Sequence, residues 1–294
     1  MIKRIAEKTI KKTKQYSTLV MFEHTIFSLS FGIVSMLLAG GGHVDPQIIA
    51  LILVVLLSAR TGANAINRVI DADIDAKNPR TQNRQLPSKI LNKKEVIIFS
   101  SVCFLIMVGA TFMINRLAIM LLPIAIFMML TYSYTKRFTW ACHIYLGITC
   151  AIAPMGAWIA VTGYFHIIPI LLSAANALWI AGFDIIYGSQ DFEFDTNNNV
   201  NSIPQRFGIK NGLHISAFFH LCAVISLFAV GYLSPNLGNL YYLGVTLIAG
   251  LLVYEHKIIS PTNLSHAKIA AYGVNQVVSI VFMVFSISSI YIAF

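Results

Sequence analysis

The sequence predicts an all-α polytopic membrane protein, with about nine transmembrane helices around a central cavity open to the cytoplasmic side, N-terminus in and C-terminus out. Three observations carry that reading. The chain of 294 residues is 57% hydrophobic and only 11% charged, where a soluble domain has roughly 25% charged residues. Its apolar residues fall in continuous runs long enough to cross ~30 Å of hydrocarbon, which takes about 20 helical residues. Its basic residues gather at alternate ends of those runs.

Taken in order, the runs lie near 25–41, 47–66, 96–114, 117–134, 142–162, 166–186, 213–233, 240–254 and 270–292. They are continuously apolar, which favours helices over a barrel of short alternating strands. Before the first run, residues 1–20 form a basic stretch, read as a retained amphipathic surface segment because no clear small-residue cleavage site follows it. The whole of 1–294 is then one transmembrane domain. The net charge of +9 does not point to nucleic acid. Lys3 to Lys14, the basic residues of 67–95, Lys136, Arg137, Arg206, Lys210, Lys257 and Lys268 all fall on one side, which the positive-inside rule makes cytoplasmic. Arg116 alone falls in an outside loop, and Arg60 alone lies within a span. Cys103, Cys142, Cys150 and Cys222 are scattered through apolar helices without metal or redox spacing and read as packing residues.

The outside loops are short, whereas two inside loops, 67–95 and 187–212, are long and hold most of the acids. In the first, Asn67, Asp71 and Asp75 recur at intervals of four and share one face if span two continues as a helix. In the second, Tyr187, Asp191 and Asp195 repeat the spacing 120 positions later, the signature of an internal repeat in which two helix ends each present a carboxylate pair to one cavity. Like charges at this spacing destabilise a helix, so two such pairs imply a compensating cation. Magnesium suits the pattern, because it takes a few carboxylates together with water and phosphate oxygens. Solvated acidic helix ends would explain one pair but poorly explain two at matching positions.

A magnesium-bound phosphate ligand would also need positive charge from the chain. Arg80 and Arg84 follow the first pair, and Lys136 with Arg137 ends span four. Arg60 sits seven residues before Asn67, about two turns deeper on the same side of span two. An arginine there marks a polar path into the membrane, and its planar guanidinium suits a carboxylate.

These residues resemble the UbiA superfamily of intramembrane aromatic prenyltransferases along nearly the whole chain. The first family motif, N-x-x-x-D-x-x-x-D, matches Asn67, Asp71 and Asp75, and Arg80-Thr81 with Asn83-Arg84-Gln85-Leu86-Pro87 resembles its R-T-x-N-R-x-L-P continuation. Tyr187, Asp191 and Asp195 match the second motif. Phe22-Glu23-His24-Thr25, Tyr132 to Arg137 and Ala153 to Trp158 also look like family segments, although the family often carries an arginine where this chain has Phe22-Glu23. The resemblance implies nine transmembrane helices and aspartates that hold Mg2+ on the diphosphate of a polyprenyl donor. It further implies that Arg80 and Lys136 contact that diphosphate and that Arg60 lies at the aromatic-acid site.

On that reading, metal and basic residues neutralise the departing diphosphate while the allylic tail carries developing positive charge. A cavity walled by apolar helices keeps water from that cation, and Trp158, Trp179, Phe183 and Tyr187 are candidate lining aromatics. The expected acceptor is 4-hydroxybenzoate, for ubiquinone synthesis. The wording Ala65-Ile66-Asn67-Arg68 also resembles the subgroup containing the prenyltransferase of the futalosine route to menaquinone, and that acceptor stays open. A secondary transporter would carry its polar residues nearer the midplane. A CDP-alcohol phosphotransferase would carry D-G-x-x-A-R in one contiguous motif, which this chain lacks.

Overall fold

The computed structural model describes residues 2–21 and 25–292; Phe22, Glu23 and His24 of the first-span segment lie outside them. Among the described residues the chain is helical throughout, as α1 (Ile2–Leu19), α2 (Thr25–Ala39), α3 (Pro46–Asp75), α4 (Lys93–Phe112), α5 (Arg116–Thr135), α6 (Cys142–Thr162), α7 (Ile167–Gly188), α8 (Phe192–Asn198), α9 (Ile203–Leu233), α10 (Asn239–Lys257) and α11 (Asn275–Ile292). A 3-10 turn, Ser189–Asp191, joins α7 to α8, and a π-helical turn, Ile269–Val274, leads into α11.

The protein is a polytopic membrane protein: seven of its described helical segments are long and apolar enough to cross a bilayer. That number differs from the nine runs read in the sequence. The first run yields α2, only 15 residues long in the described part, and α10 ends in the polar Glu255, His256 and Lys257. Neither belongs to the seven.

The helix ends follow local chemistry. Asp45 caps α3 by accepting from the Gln47 N–H at 2.7 Å, with Pro46 in the first turn, where its missing N–H costs nothing. Ser202 caps α9 in the same way, with Pro204 following. Gly208 lies within α9 at φ 80°, a left-handed conformation that suits glycine and breaks the helix there.

The bundle interior is closed by small residues and by repair of proline-freed carbonyls. Pro154 in α6 has no N–H to give the Cys150 carbonyl four residues back, and Asn176 Nδ2 of α7 donates to that oxygen at 3.1 Å. The Pro154 carbonyl accepts from Ser35 of α2 at 2.6 Å. Gly147 lets α6 approach α7 so closely that a Cβ there would stand 2.2 Å from the Ala177 carbonyl oxygen. The main core gathers Phe31, Trp158, Trp179, Phe183, Tyr241 and Phe282, with Phe31 stacked on both Trp179 and Phe282. At the end of α1, Leu19 and the following Val20 pack with Ala65 and Ala72 of α3 and with Leu86, Leu91 and Val96.

Candidate active site

At one end of the bundle α3 runs unbroken through the first motif, so Asn67, Asp71 and Asp75 lie along one helix and Asp71 and Asp75 are buried. The second motif is built differently from the sequence expectation of a single helix end. Tyr187 belongs to α7, Asp191 closes the 3-10 turn and Asp195 sits in α8. The tighter turn re-aims the second aspartate pair. Much of the segment read as the loop 187–212 is therefore helical, including the start of α9.

Each acid meets a specific partner. Lys136 Nζ donates to Asp71 Oδ2 at 2.6 Å, and Asn67 Nδ2 donates to the same oxygen at 2.8 Å and to Ser133 at 3.0 Å. Arg84 Nη1 spans both oxygens of Asp75, at 2.8 and 2.9 Å. Arg80 donates from Nε to Asp191 Oδ1 at 2.8 Å and from Nη2 to Oδ2, while Nη1 meets the Tyr187 hydroxyl and its guanidinium lies 4.5 Å above the Tyr187 ring. Asn78 completes this arrangement, receiving the Arg80 N–H at 2.9 Å and donating to Asp191 at 2.8 Å. Asp195 accepts from Ser202 at 3.0 Å. Burial works against the Arg80 charge, but its hydrogen bonds and charge contact with Asp191 outweigh that and raise its pKa above the ordinary arginine value. Asp73 points out to solvent, where Lys93 holds it at 2.8 Å.

These groups line a polar cavity of about 320 Å3, together with Arg60, His143, Phe183, Asp184 and Tyr272. A second, mostly apolar cavity of about 450 Å3 runs between α3, α4, α5 and α6. Arg60, Asn64, Tyr132, Leu146 and Cys150 belong to both, so the cavities adjoin with Arg60 at the junction. Trp158 and Trp179 line neither. Trp158 stacks on His166 at 5.2 Å, and Trp179 packs on Phe31 and Phe183, so both act in packing.

The donor set fits magnesium held jointly with a phosphate ligand. Asp71 Oδ1 is buried without a hydrogen-bond partner, its nearest cation being Arg137 Nη1 at 3.6 Å, which leaves it able to take a metal ion. Among the described residues no three His, Cys, Asp or Glu side chains converge as a metal cage, and magnesium rarely needs one, because water and phosphate oxygens complete its octahedron. Sequence spacing did not single out His143, Asn78, Ser133, Ser202 or Tyr272, each of which reaches the cavity or its acids only through tertiary packing.

A helical membrane bundle with paired aspartates, facing cations and an adjoining apolar chamber suits an enzyme that handles a charged headgroup and a lipid tail together. The model of the UbiA prenyltransferase family matches residues 28–285, and the chain belongs to that family. A 4-hydroxybenzoate octaprenyltransferase of Shewanella sediminis is 30% identical over 227 residues, 77% of this chain and 79% of that protein. Another, from Shewanella sp. strain ANA-3, is 28% identical over 85% of this chain and 87% of its own length. Among solved structures, the apo UbiA homolog from Aeropyrum pernix K1 superposes with a TM-score of 0.82 at 28% identity, covering 90% of this chain and 96% of that one. A UbiA homolog from Archaeoglobus fulgidus bound to GPP and Mg2+ shares the fold at TM-score 0.69 and 17% identity, over 94% of this chain and 99% of its own. The chain is a prenyltransferase of the UbiA family.

Proposed function

We propose that this protein transfers a polyprenyl chain from its diphosphate to a ring carbon of 4-hydroxybenzoate, with Mg2+ held by Asp71, Asp75, Asp191 and Asp195, at the cytoplasmic side of the bacterial inner membrane. The observation that carries the reading is one cavity in which Lys136, Arg84 and Arg80 already face Asp71, Asp75 and Asp191. Bound magnesium supplies positive charge that stabilises the departing diphosphate. Arg80, Arg84 and Lys136, which face those carboxylates, would donate to the phosphate oxygens of the donor. Asn67 and Tyr187 hold Asp71 and Arg80 in position.

The apolar chamber takes the lipid tail and excludes water, which would otherwise capture the allylic cation. Arg60, where the two cavities meet, pairs with the acceptor carboxylate and sets the ring beside the allylic carbon. The 4-hydroxybenzoate enzymes among the relatives support this acceptor. The segment Ala65 to Arg68 makes a futalosine-route precursor the second acceptor to test. Mass spectrometry of products from purified protein, Mg2+, polyprenyl diphosphates of several lengths and a panel of aromatic acids decides both questions. Prenylated 4-hydroxybenzoate is the expected product. Product from another acid only would replace the acceptor, and no product from any acid would overturn the reading.

A further inference from the structure

Among the described residues, Arg68 lines the polar cavity without a carboxylate partner. It stands in α3 one residue after Asn67 and seven before Asp75, about two helical turns and so nearly the same face. The side chain is half-buried, in the cavity wall beside Asn64, Asp71, Asp75 and Arg84. Its hydrogen bonds go to the end of α1: Nε donates to the Leu19 carbonyl at 3.2 Å, and Nη2 reaches the Met21 sulfur at 3.0 Å. One turn earlier Asn64 donates to the Val20 carbonyl at 2.8 Å, so α3 holds this stretch of chain against the cavity, and Met21 itself joins the lining. A carbonyl and a thioether orient a guanidinium without neutralising it. Arg68 Nη1 has no partner among the described residues and is not sealed inside the protein.

Other cations of the cavity are matched. Lys136, Arg84 and Arg80 each face an aspartate. The Arg84–Asp75 pair is neutral as a unit, and Arg84 and Asp75 are the charged groups that act on Arg68. Arg68 therefore adds one unbalanced positive charge beside that pair, in partly dehydrated surroundings where an anion is needed to offset it. The proposed reaction brings two anionic groups, the donor diphosphate and the acceptor carboxylate. Arg60 lies eight residues deeper in α3, more than two turns toward the apolar chamber, whereas Arg68 belongs with Arg84 and Asp75 at the aspartate end. We propose that Arg68 is a further binding residue for the donor diphosphate, giving Nη1 to phosphate oxygens while Leu19 and Met21 hold the rest of its fork in place. The end of α1 thereby helps to build the donor site. This rests on the prenyl transfer proposed above and adds a residue to it.

The test uses the purified full chain. Arg68→Gln keeps an amide N–H for the Leu19 carbonyl and removes the charge; Arg68→Lys keeps the charge and removes the planar fork. Titration calorimetry with inorganic pyrophosphate and Mg2+ reads the anion site without turnover. Steady-state kinetics with geranyl diphosphate and the aromatic acid that wild type prenylates reads it within the reaction. Arg68→Gln should raise the pyrophosphate Kd and the geranyl diphosphate KM together, by about 10-fold or more, with the acceptor KM close to wild type. Arg68→Lys should raise the same two values by a smaller factor, and it carries the test alone if Arg68→Gln does not accumulate in membranes. A rise in the acceptor KM alone would put Arg68 on the aromatic carboxylate and overturn the assignment. Wild-type Kd and donor KM in folded variants, or a lowered unfolding midpoint as the sole change, would overturn it too, leaving Arg68 as a tether for α1. If wild type prenylates no aromatic acid but Arg68→Gln still weakens pyrophosphate binding, the reading of the reaction falls and the anion site stands.

Discussion

Arg80 and Asp191, 111 positions apart in sequence, are joined by a two-point contact in which Arg80 Nε reaches Asp191 Oδ1 at 2.8 Å and Nη2 meets the other oxygen. The contact ties the segment after α3 to the turn after α7, so the two aspartate motifs border one cavity. It also places a diphosphate-binding candidate directly on a metal-binding candidate, an arrangement that charge exchange on substrate binding would relieve.

Removing any one of the four aspartates should abolish transfer. Asp71→Ala, Asp75→Ala, Asp191→Ala and Asp195→Ala are each expected to accumulate in membranes as folded protein with no measurable product, as wild type should behave in excess EDTA. Asp73→Ala is the control, since Asp73 faces solvent and Lys93. Product analysis beside a thermal-stability assay checks the set, and wild-type turnover in any of the four would remove that residue from the metal site.

Arg60 and Arg80 should separate the two substrates. Losing a buried charged contact costs ~2–5 kcal/mol, so Arg60→Ala should raise the acceptor KM by an order of magnitude or more and leave the donor KM near wild type. Arg80→Ala should do the reverse. Steady-state kinetics with both substrates varied decides it; a rise in donor KM for Arg60→Ala would place the aromatic acid elsewhere.

Asn176 itself lines neither cavity, and Asn176→Ala should destabilise the protein, because the Cys150 carbonyl that Pro154 leaves open loses its donor. An unsatisfied buried carbonyl costs about 1–3 kcal/mol. A lowered midpoint of thermal unfolding in detergent, with KM values unchanged in the protein that remains folded, is the expected result.

Gly147→Ala should be more damaging than its one added methyl suggests. Its Cβ would meet the backbone of Ala177 at 2.2 Å, and backbone cannot rotate aside, so α6 and α7 must separate. His143 and Asp184 sit on those two helices, so the shift should also widen their contact. Poor accumulation in membranes, or folded protein with reduced kcat, is expected; wild-type yield and kcat together would contradict the close approach.

By itself the sequence determined the membrane class, the helical architecture and both aspartate motifs. Each is a periodic or compositional property: long apolar runs follow from bilayer thickness, and Asn67, Asp71 and Asp75 share a face because α3 continues through them. Asp73 could be set aside on the same helical geometry, and it does face outward. The second motif shows where periodicity stops serving, because Tyr187, Asp191 and Asp195 keep the spacing of four while the backbone passes through a 3-10 turn between two helices. Only the tertiary structure decided which cation faces which carboxylate, that Arg60 stands between two cavities, that Trp158 and Trp179 pack away from them, and that His143 meets Asp184. The physical reason is that those partners lie on different helices: spacing along the chain fixes the face of one helix, but only the packing of the bundle fixes which faces meet.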